Sequence, residues 1–310
     1  MKKEISIGLI ALFVIATGCI TEEEAPTTSE ELTIKLGVMP DEATLPYYVA
    51  AKEGLFASQG LNVEIVPFMS AMERDAALTA GEIDAGENDP VGVLLLRNAG
   101  YDVKIISLEL QETADKMRFA VIASPQSNIS AVEDLEEIAI SRNTIIEYIT
   151  DTLLGDVQLN KVEVKKVPIR MQMLLDNEIG AATLPEPLAS YALYRGANMV
   201  ISDSMLNRNV SQTVIVVNSE FIEKHPGCVT KFLDAYSEAV DMINTNPESY
   251  RALLVEKTHI PGEIAMNYKI ATYLPPQPYP EAKFDAVLLW MQNKDLVQQE
   301  ISYDDTVLKQ

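Results

Sequence analysis

Apolar positions along the chain fall into two alternating rhythms. Short apolar runs such as LTIKLGVM from Leu32, LNVEIVPF from Leu61 and DVKIISL from Asp102 predict strands. Between them LPYYVAAKEGLFASQG, MERDAALTAGE and PVGVLLLRNAG carry apolar residues three and four apart, which predicts helices, and IDAGEN adds a short strand. A second series follows. FAVIAS, EIAIS, VEVKKVP and IGAATL predict strands; ISAVEDL, NTIIEYITDTLLG, IRMQMLLDNE and PEPLASYALYRGA predict helices. Beyond Asn209, SQTVIVVNSEFIEKHP predicts a strand leading into the helices CVTKFLDAYSEAVDMINTN and PESYRALLVEK. PGEIAMNYKIATY and EAKFDAVLLWMQNKDLV read as amphipathic helix. Such alternation calls for an α/β body with a largely parallel sheet.

One phrase is written twice. LTAGEIDAGENDP from Leu78 and LLDNEIGAATLPEP from Leu174 each join an apolar helical run to Glu-Ile, small residues, and an acid beside proline. Extended backwards, VEIVPFMSAMERDAALTAGEIDAG from Val63 parallels VEVKKVPIRMQMLLDNEIGAA from Val162. The chain is therefore expected to hold two similar α/β lobes. If it crosses back after the second series, its last helices cover the first lobe, and two crossings make a hinge with a cleft between the lobes. The expected division is 32–116 for the first part of lobe 1, 117–210 for lobe 2, and 211–310 for the return to lobe 1.

The N-terminus is set apart from this body. MKKEISIGLIALFVIATGC has a basic start and an apolar run shorter than the ~20 residues of a membrane span, so residues 1–18 read as a secretory signal peptide. Cys19 after Ala-Thr-Gly resembles a lipobox cysteine, although Ala16 stands where leucine is usual; ordinary cleavage nearby is the alternative. Residues 19–31, rich in Thr, Glu, Pro and Ser, have nothing to bury and read as a disordered acidic tether. The expected location is outside the cell, lipid-anchored through Cys19 to the outer face of a prokaryotic membrane.

The net charge of −22, with 46 Asp and Glu against 24 Lys and Arg, argues against a nucleic-acid partner, because no basic excess is present to neutralise phosphates. With Cys19 spent, Cys228 is the remaining thiol, which leaves no internal disulfide; it reads as a small buried residue. His225 and His259 do not stand at metal-ligand spacing, and no HExxH, CxxC, GxSxG or P-loop pattern occurs. Neither metal nor cofactor is expected, and the chain reads as a monomer without catalysis.

Taken together, IKLGVMPDEATLPYYVAAKEGLFASQGLNVEIVPF, ALTAGEIDAGENDPVG, SAVEDLEEIAIS, MLLDNEIGAATLPEPLASYA and EFIEKHPGCVTKFLDAYSEAV resemble the extracytoplasmic solute-binding proteins of ABC importers. The resemblance is to the nitrate/sulfonate/taurine and thiamine-precursor group, and it covers essentially the whole body after the tether. A departure is EDLEEIAIS, where that family usually has Gly-Lys after Asp-Leu. The resemblance implies a periplasmic-binding-protein type II fold that captures a small solute by lobe closure and delivers it to a permease with an ATPase partner. A lipid-anchored sensor, or an enzyme of the same fold, are the alternatives; the enzymes of that fold are intracellular, whereas this chain begins with an export signal.

Ligands of open α/β sheets sit beyond the carboxyl ends of the strands. Loops expected there place Asp41, Tyr47, Tyr48, Phe68, Ser70, Asn88 and Asp89 on lobe 1, and Ser141, Arg142, Asn143, Thr144, Arg170 and Glu186 on lobe 2. Several have structural roles in competition. Asn88 and Asp89 precede Pro90 and suit a helix cap, Thr144 with Glu147 spells a capping box, and Glu186 favours the positive end of its helix. Ser141, Arg142 and Asn143 lie at a helix start that favours an anion, and Arg142 or Arg170 offers a fork for an oxyanion or pairs with a neighbouring glutamate. Against an anion stand Asp41, Glu42, Glu87, Asp89, Glu109 and Glu186, which suit a cationic or amine-bearing solute. Tyrosines at helical spacing suit the core, with one of Tyr47 or Tyr48 expected to reach a ring. Sulfonate-like anion and pyrimidine-type precursor both remain open on sequence.

Overall fold

A computed structural model describes residues 32–206 and 208–309. The expected signal peptide, Cys19 and the tether lie outside the described residues. The first lobe opens with β1 (Leu32–Val38), α1 (Leu45–Lys52), α2 (Leu55–Ser58), β2 (Leu61–Pro67), α3 (Ala71–Thr79), β3 (Ala85–Asn88), α4 (Pro90–Asn98) and β4 (Val103–Leu110). The second holds β5 (Phe119–Ala123), β6 (Glu137–Ile140), α5 (Ile145–Leu154), β7 (Asn160–Glu163), α6 (Val167–Leu175), β8 (Ala181–Pro185), α7 (Leu188–Tyr194) and β9 (Asn198–Ser202). Then come β10 (Thr213–Asn218), α8 (Ser219–Lys224), α9 (Cys228–Thr245), α10 (Arg251–Thr258), α11 (Gly262–Ala265), α12 (Glu281–Asn293) and α13 (Tyr303–Thr306).

Each lobe is built on a five-stranded sheet, ordered β2-β1-β3-β10-β4 in one and β7-β6-β8-β5-β9 in the other. The two orders are the same arrangement. Three parallel strands lie side by side, and the fourth place goes to the strand that arrives from the other lobe. The sheets are therefore mixed, where a largely parallel one was expected: β10 runs antiparallel to β3 and β4, and β5 antiparallel to β8 and β9. Each crossing strand runs opposite to the strands beside it.

Two further expectations are corrected. Asn198–Ser202, unassigned in the sequence, pairs as β9 on the edge of the second sheet. PGEIAMNYKIATY forms helix only over Gly262–Ala265. Beyond it Tyr268, Ile270, Ala271 and Tyr273 are each drawn into the lobe 1 core, and Arg251 Nη1 donates to the carbonyls of Ala265 and Tyr268. Tertiary burial overrides the helical period there.

The duplicated phrase has a common physical form. After α3, the N–H of Gly81 bonds Leu78 O at 3.2 Å and that of Glu82 bonds Ala77 O at 2.9 Å. After α6, Asn177 N bonds Leu174 O at 3.1 Å and Glu178 N bonds Met173 O at 2.9 Å. Both are Schellman helix ends, in which one residue must turn left-handed; Gly81 at φ +70° and Asn177 at φ +60° supply it. Ile83 and Ile179 then bury two residues before β3 and β8.

One core fills the face of the first sheet covered by α1, α9 and α10. A second runs from Val91, Leu94 and Phe284 of lobe 1 through to Ile138, Ile146 and Ile149 of lobe 2. A third lies under α6 and α7.

Candidate ligand-binding site

The segments that cross between the sheets, 111–118 and 203–212, are stitched by two carboxylates. Glu112 on the first accepts from the N–H groups of Val210 and Ser211 on the second. Asp203 on the second accepts from Arg118 N at 3.1 Å and Phe119 N at 2.8 Å on the first. Backbone donors of each crossing are thus satisfied by a side chain of the other. The pair is expected to move as one unit.

The first crossing delivers two cations to the strand ends. Arg118, buried at 3 % exposure, donates through Nη2 to both Asp41 oxygens at 2.9 and 3.1 Å, and through Nη1 to Thr213 Oγ1 at 3.4 Å. Burial pulls its basicity down, and Asp41, Glu42, Glu109 and Glu87 more than restore it. Lys116 Nζ lies 3.3 Å from Glu42 Oε2 of lobe 1 and 3.5 Å from Glu186 Oε1 of lobe 2, 4.0 Å above the centre of the Tyr268 ring. One ammonium therefore holds both lobes and an aromatic face. Tyr268 Oη donates to the same Glu42 oxygen at 2.9 Å.

Around them acids outnumber bases. Burial, with the charge of Asp41 added and Arg74 opposing, pushes the Glu87 carboxyl up to about 7. Burial and the charge of Glu87 hold Glu109 well above the carboxylate range. Among the described residues, neither Glu109 oxygen, nor Tyr47 Oη, Glu42 Oε1 or Arg118 Nε, completes a hydrogen bond. Such a concentration of unsatisfied buried polar atoms marks a place where the fold leaves donors and acceptors to something else.

Asp41 caps the turn after β1, accepting from Ala43 N at 2.8 Å, and meets Arg118. Asp89 caps α4 by accepting from Gly92 N at 2.9 Å, and Ser70 caps α3 by accepting from Glu73 N at 3.3 Å. Asn88 Oδ1 accepts from Arg74 Nη2 at 2.7 Å and Asp89 N at 2.8 Å, while its Nδ2 donates to Asp75 Oδ1 at 3.1 Å. The Tyr47 ring is buried against Phe232 and Tyr236, leaving only its hydroxyl beside Glu109. Tyr48 lies elsewhere, under the Lys257 ammonium of α10. Phe68 is half-buried against the second core, next to the exposed Met69 and Met72.

In lobe 2, Glu186 accepts from Ser190 Oγ at 2.7 Å and Ser190 N at 3.2 Å besides meeting Lys116. Thr144 caps α5, accepting from Ile146 N at 3.2 Å, and Glu147 takes the N–H of the exposed Asn143 at 2.7 Å. Arg142 turns away to the exposed edge, where it donates to Lys161 O. Arg170 is fully buried: its Nη1 donates to Ser141 Oγ and Val164 O, both at 2.9 Å. The structure thus gathers Asp41, Asn88, Asp89 and the Tyr47 hydroxyl in lobe 1, and Ser141 with Arg170 in lobe 2. It does not bring Tyr48 or Arg142 to them.

Sequence reasoning did not single out Arg74, Lys116, Arg118 or Tyr268. For Arg74 a signal existed: it precedes the repeated Glu-Ile by the same eight residues as Arg170 does. Among the described residues no group of His, Cys, Asp and Glu stands ready to hold a metal ion, and no helix is long and apolar enough to cross a membrane.

The description of the family NMT1/THI5 like matches residues 42–250. A protein of Brachyspira hyodysenteriae named as an ABC transporter periplasmic binding protein is 24% identical over 263 residues, covering 78% of this chain and 74% of that one. A Bacillus subtilis protein named for binding aliphatic sulfonates is 22% identical over 251 residues, covering 77% and 74%. Among solved structures, the periplasmic aliphatic sulphonate binding protein SsuA of Escherichia coli superposes with a TM-score of 0.72 at 17% identity, over 89% of this chain and 92% of that one. The nitrate-binding protein NrtA of Synechocystis gives 0.66 at 13% identity, over 89% and 84%. These likenesses establish the periplasmic-binding-protein fold of two α/β lobes.

Proposed function

This chain belongs to the NMT1/THI5-like family, and from that premise we propose that it is the solute-binding component of an ABC importer. It captures a small polar solute between its lobes and delivers it to a permease driven by an ATPase partner. The observation that carries the reading is Lys116, held at once by Glu42 of lobe 1 and Glu186 of lobe 2. Contacts of this kind exist only when the lobes are together, so a solute that adds more of them shifts the hinge towards closure. Asp41, Ser70, Asn88, Asp89, Ser141, Arg170, Glu186 and the Tyr47 hydroxyl are proposed to line the site. Both similar proteins named for sulfonates support an oxyanion-bearing solute.

Export through residues 1–18, with a lipid on Cys19 and residues 20–31 as a tether, is the placement proposed for this function; it keeps the body mobile beside the permease. The chemistry is binding and release, without a catalytic step.

The test is thermal melting of the purified chain against ethanesulfonate, taurine, nitrate, sulfate and an aminopyrimidine. At a hundredfold excess over Kd a solute adds about 2.7 kcal/mol, which moves the melting point by several degrees in a protein of this size. A shift with one solute class supports the reading; none across the panel contradicts it for these solutes.

A further inference from the structure

We infer that lobe 2 contains a subsite for the oxyanion group of the solute, with Arg170 as its fixed cation and Ser141 beside it. This rests on the reading of the chain as a solute-binding protein and names the chemistry that one lobe supplies.

Arg74 is the fourth residue of α3 and Arg170 the fourth of α6, and both side chains are buried, at 2 % and 0 % exposure. In lobe 1 the chain provides the counter-charge. Arg74 Nε and Nη2 both donate to Asp75 Oδ1, at 3.0 and 2.8 Å, Nη2 also reaches Asn88 Oδ1 at 2.7 Å, and Nη1 lies 3.7 Å from Glu87. In lobe 2 the residue in the place of Asp75 is Met171. The same two nitrogens of Arg170, Nε and Nη2, are buried without any hydrogen-bond partner, and no carboxylate pairs with the guanidinium among the described residues.

An Nε/Nη2 edge is the part of a guanidinium that meets two oxygens of one oxyanion. A fully buried charge without a partner is costly to keep, so an empty edge is a place for a counter-ion from outside the chain. Its position suits that role. Ser141 directly follows β6, Arg170 lies beyond β7, and Glu186, which directly follows the neighbouring β8, is already in contact with the first crossing. The ten-residue helix α5 opens at Ile145, directly after the turn closed by the Thr144 Oγ1 to Ser141 O bond, with its positive end on the same rim.

The test transplants lobe 1 chemistry into lobe 2. Binding of ethanesulfonate, taurine, propionate and sulfate is measured by calorimetry on wild type, Met171→Asp, Arg170→Gln and Ser141→Ala, with an aminopyrimidine as the solute lacking an oxyanion. At least one oxyanion is expected to bind wild type. Its Kd rises at least tenfold in Met171→Asp, where the new carboxylate occupies the guanidinium edge, and in Arg170→Gln. Ser141→Ala, the mildest change, is expected to weaken it about threefold or more and decides the matter if the other two variants do not fold. Unchanged oxyanion affinity in the folded variants overturns the subsite. So does an aminopyrimidine that binds while no oxyanion does, an outcome that leaves solute binding standing. If no solute of either class binds, both readings fall.

Discussion

Arg74 and Arg170 occupy the same place in the two lobes, yet among the described residues only the first meets a carboxylate. Burial lowers both guanidiniums. In Arg74 the charges of Glu87 and Asp75 more than compensate, whereas Arg170 has nothing to set against burial and is brought down to about 10. It remains a cation at neutral pH. The two similar halves thus differ in electrostatics: the lobe 1 arginine is met by acids of its own lobe, and the lobe 2 arginine by none among the described residues.

Replacing Lys116 tests the charge that joins the lobes. Lys116→Met leaves Glu42 and Glu186 facing each other in a buried place without their cation. Breaking a buried pair in this way costs about 3–5 kcal/mol, so the melting temperature is expected to fall by on the order of 10 °C. Adding Glu186→Gln to that variant should recover part of the loss. A single variant that melts like wild type would show that Lys116 holds nothing together.

Gly92 matters for what stands beside it. A Cβ there would lie 2.4 Å from Asn88 Oδ1, and that oxygen is fixed by Arg74 Nη2 and Asp89 N. It cannot move without releasing the Arg74 network. Gly92→Ala is expected to destabilise by about 1–3 kcal/mol, read as a lower denaturant midpoint. Alanine at a free-standing helix glycine would stabilise instead.

Acid should open the contact between α12 and α5. Burial would raise the Glu147 carboxyl, but the N–H of Asn143 and the ammonium groups of Lys294 and Lys161 outweigh it and hold the group at about 2. An unfolded glutamate titrates near ~4.3. The contribution is therefore complete above that value and is lost as pH falls from ~4.3 to about 2. Glu147→Gln should be less stable than wild type at pH 6 and indistinguishable from it near pH 2, by denaturant unfolding.

Glu87 acts in the other direction. With its folded value raised to about 7, it favours the native state most below ~4.3 and loses that contribution as pH rises to about 7. Glu87→Gln is expected to flatten the fall in melting temperature between pH 5 and pH 8. An equally steep fall in the variant would place the cause at another group.

Much of this fold was legible in the chain because it is written in local terms. Strand and helix periods, the Gly81 and Asn177 helix ends, and the caps at Asp89 and Thr144 all lie within a few residues of what they organise. What escaped depends on distance. Lys116 and Arg118 look like ordinary crossing residues until the return of β10 and the C-terminal Tyr268 close around them. The segment after Ala265 has helical spacing, but its tyrosines are claimed one by one by Glu42: Tyr273 Oη donates to Glu42 O at 2.7 Å, as Tyr268 does to its carboxylate. Arg142 looked like an anion clamp at the start of α5; the edge strand β7 offers it a carbonyl instead.

The most direct test uses Trp290, the one tryptophan of the chain. It stands on α12, donates to Asp151 Oδ2 of α5 at 3.0 Å and meets the Tyr148 ring edge-on at 5.4 Å. Its fluorescence therefore reports how the lobes sit against each other. Titration with ethanesulfonate, taurine, nitrate, sulfate and an aminopyrimidine is expected to give a saturable change with one solute class, at one equivalent per chain. A flat signal with every solute, or a change that never saturates, would contradict capture of a solute by closure of the lobes.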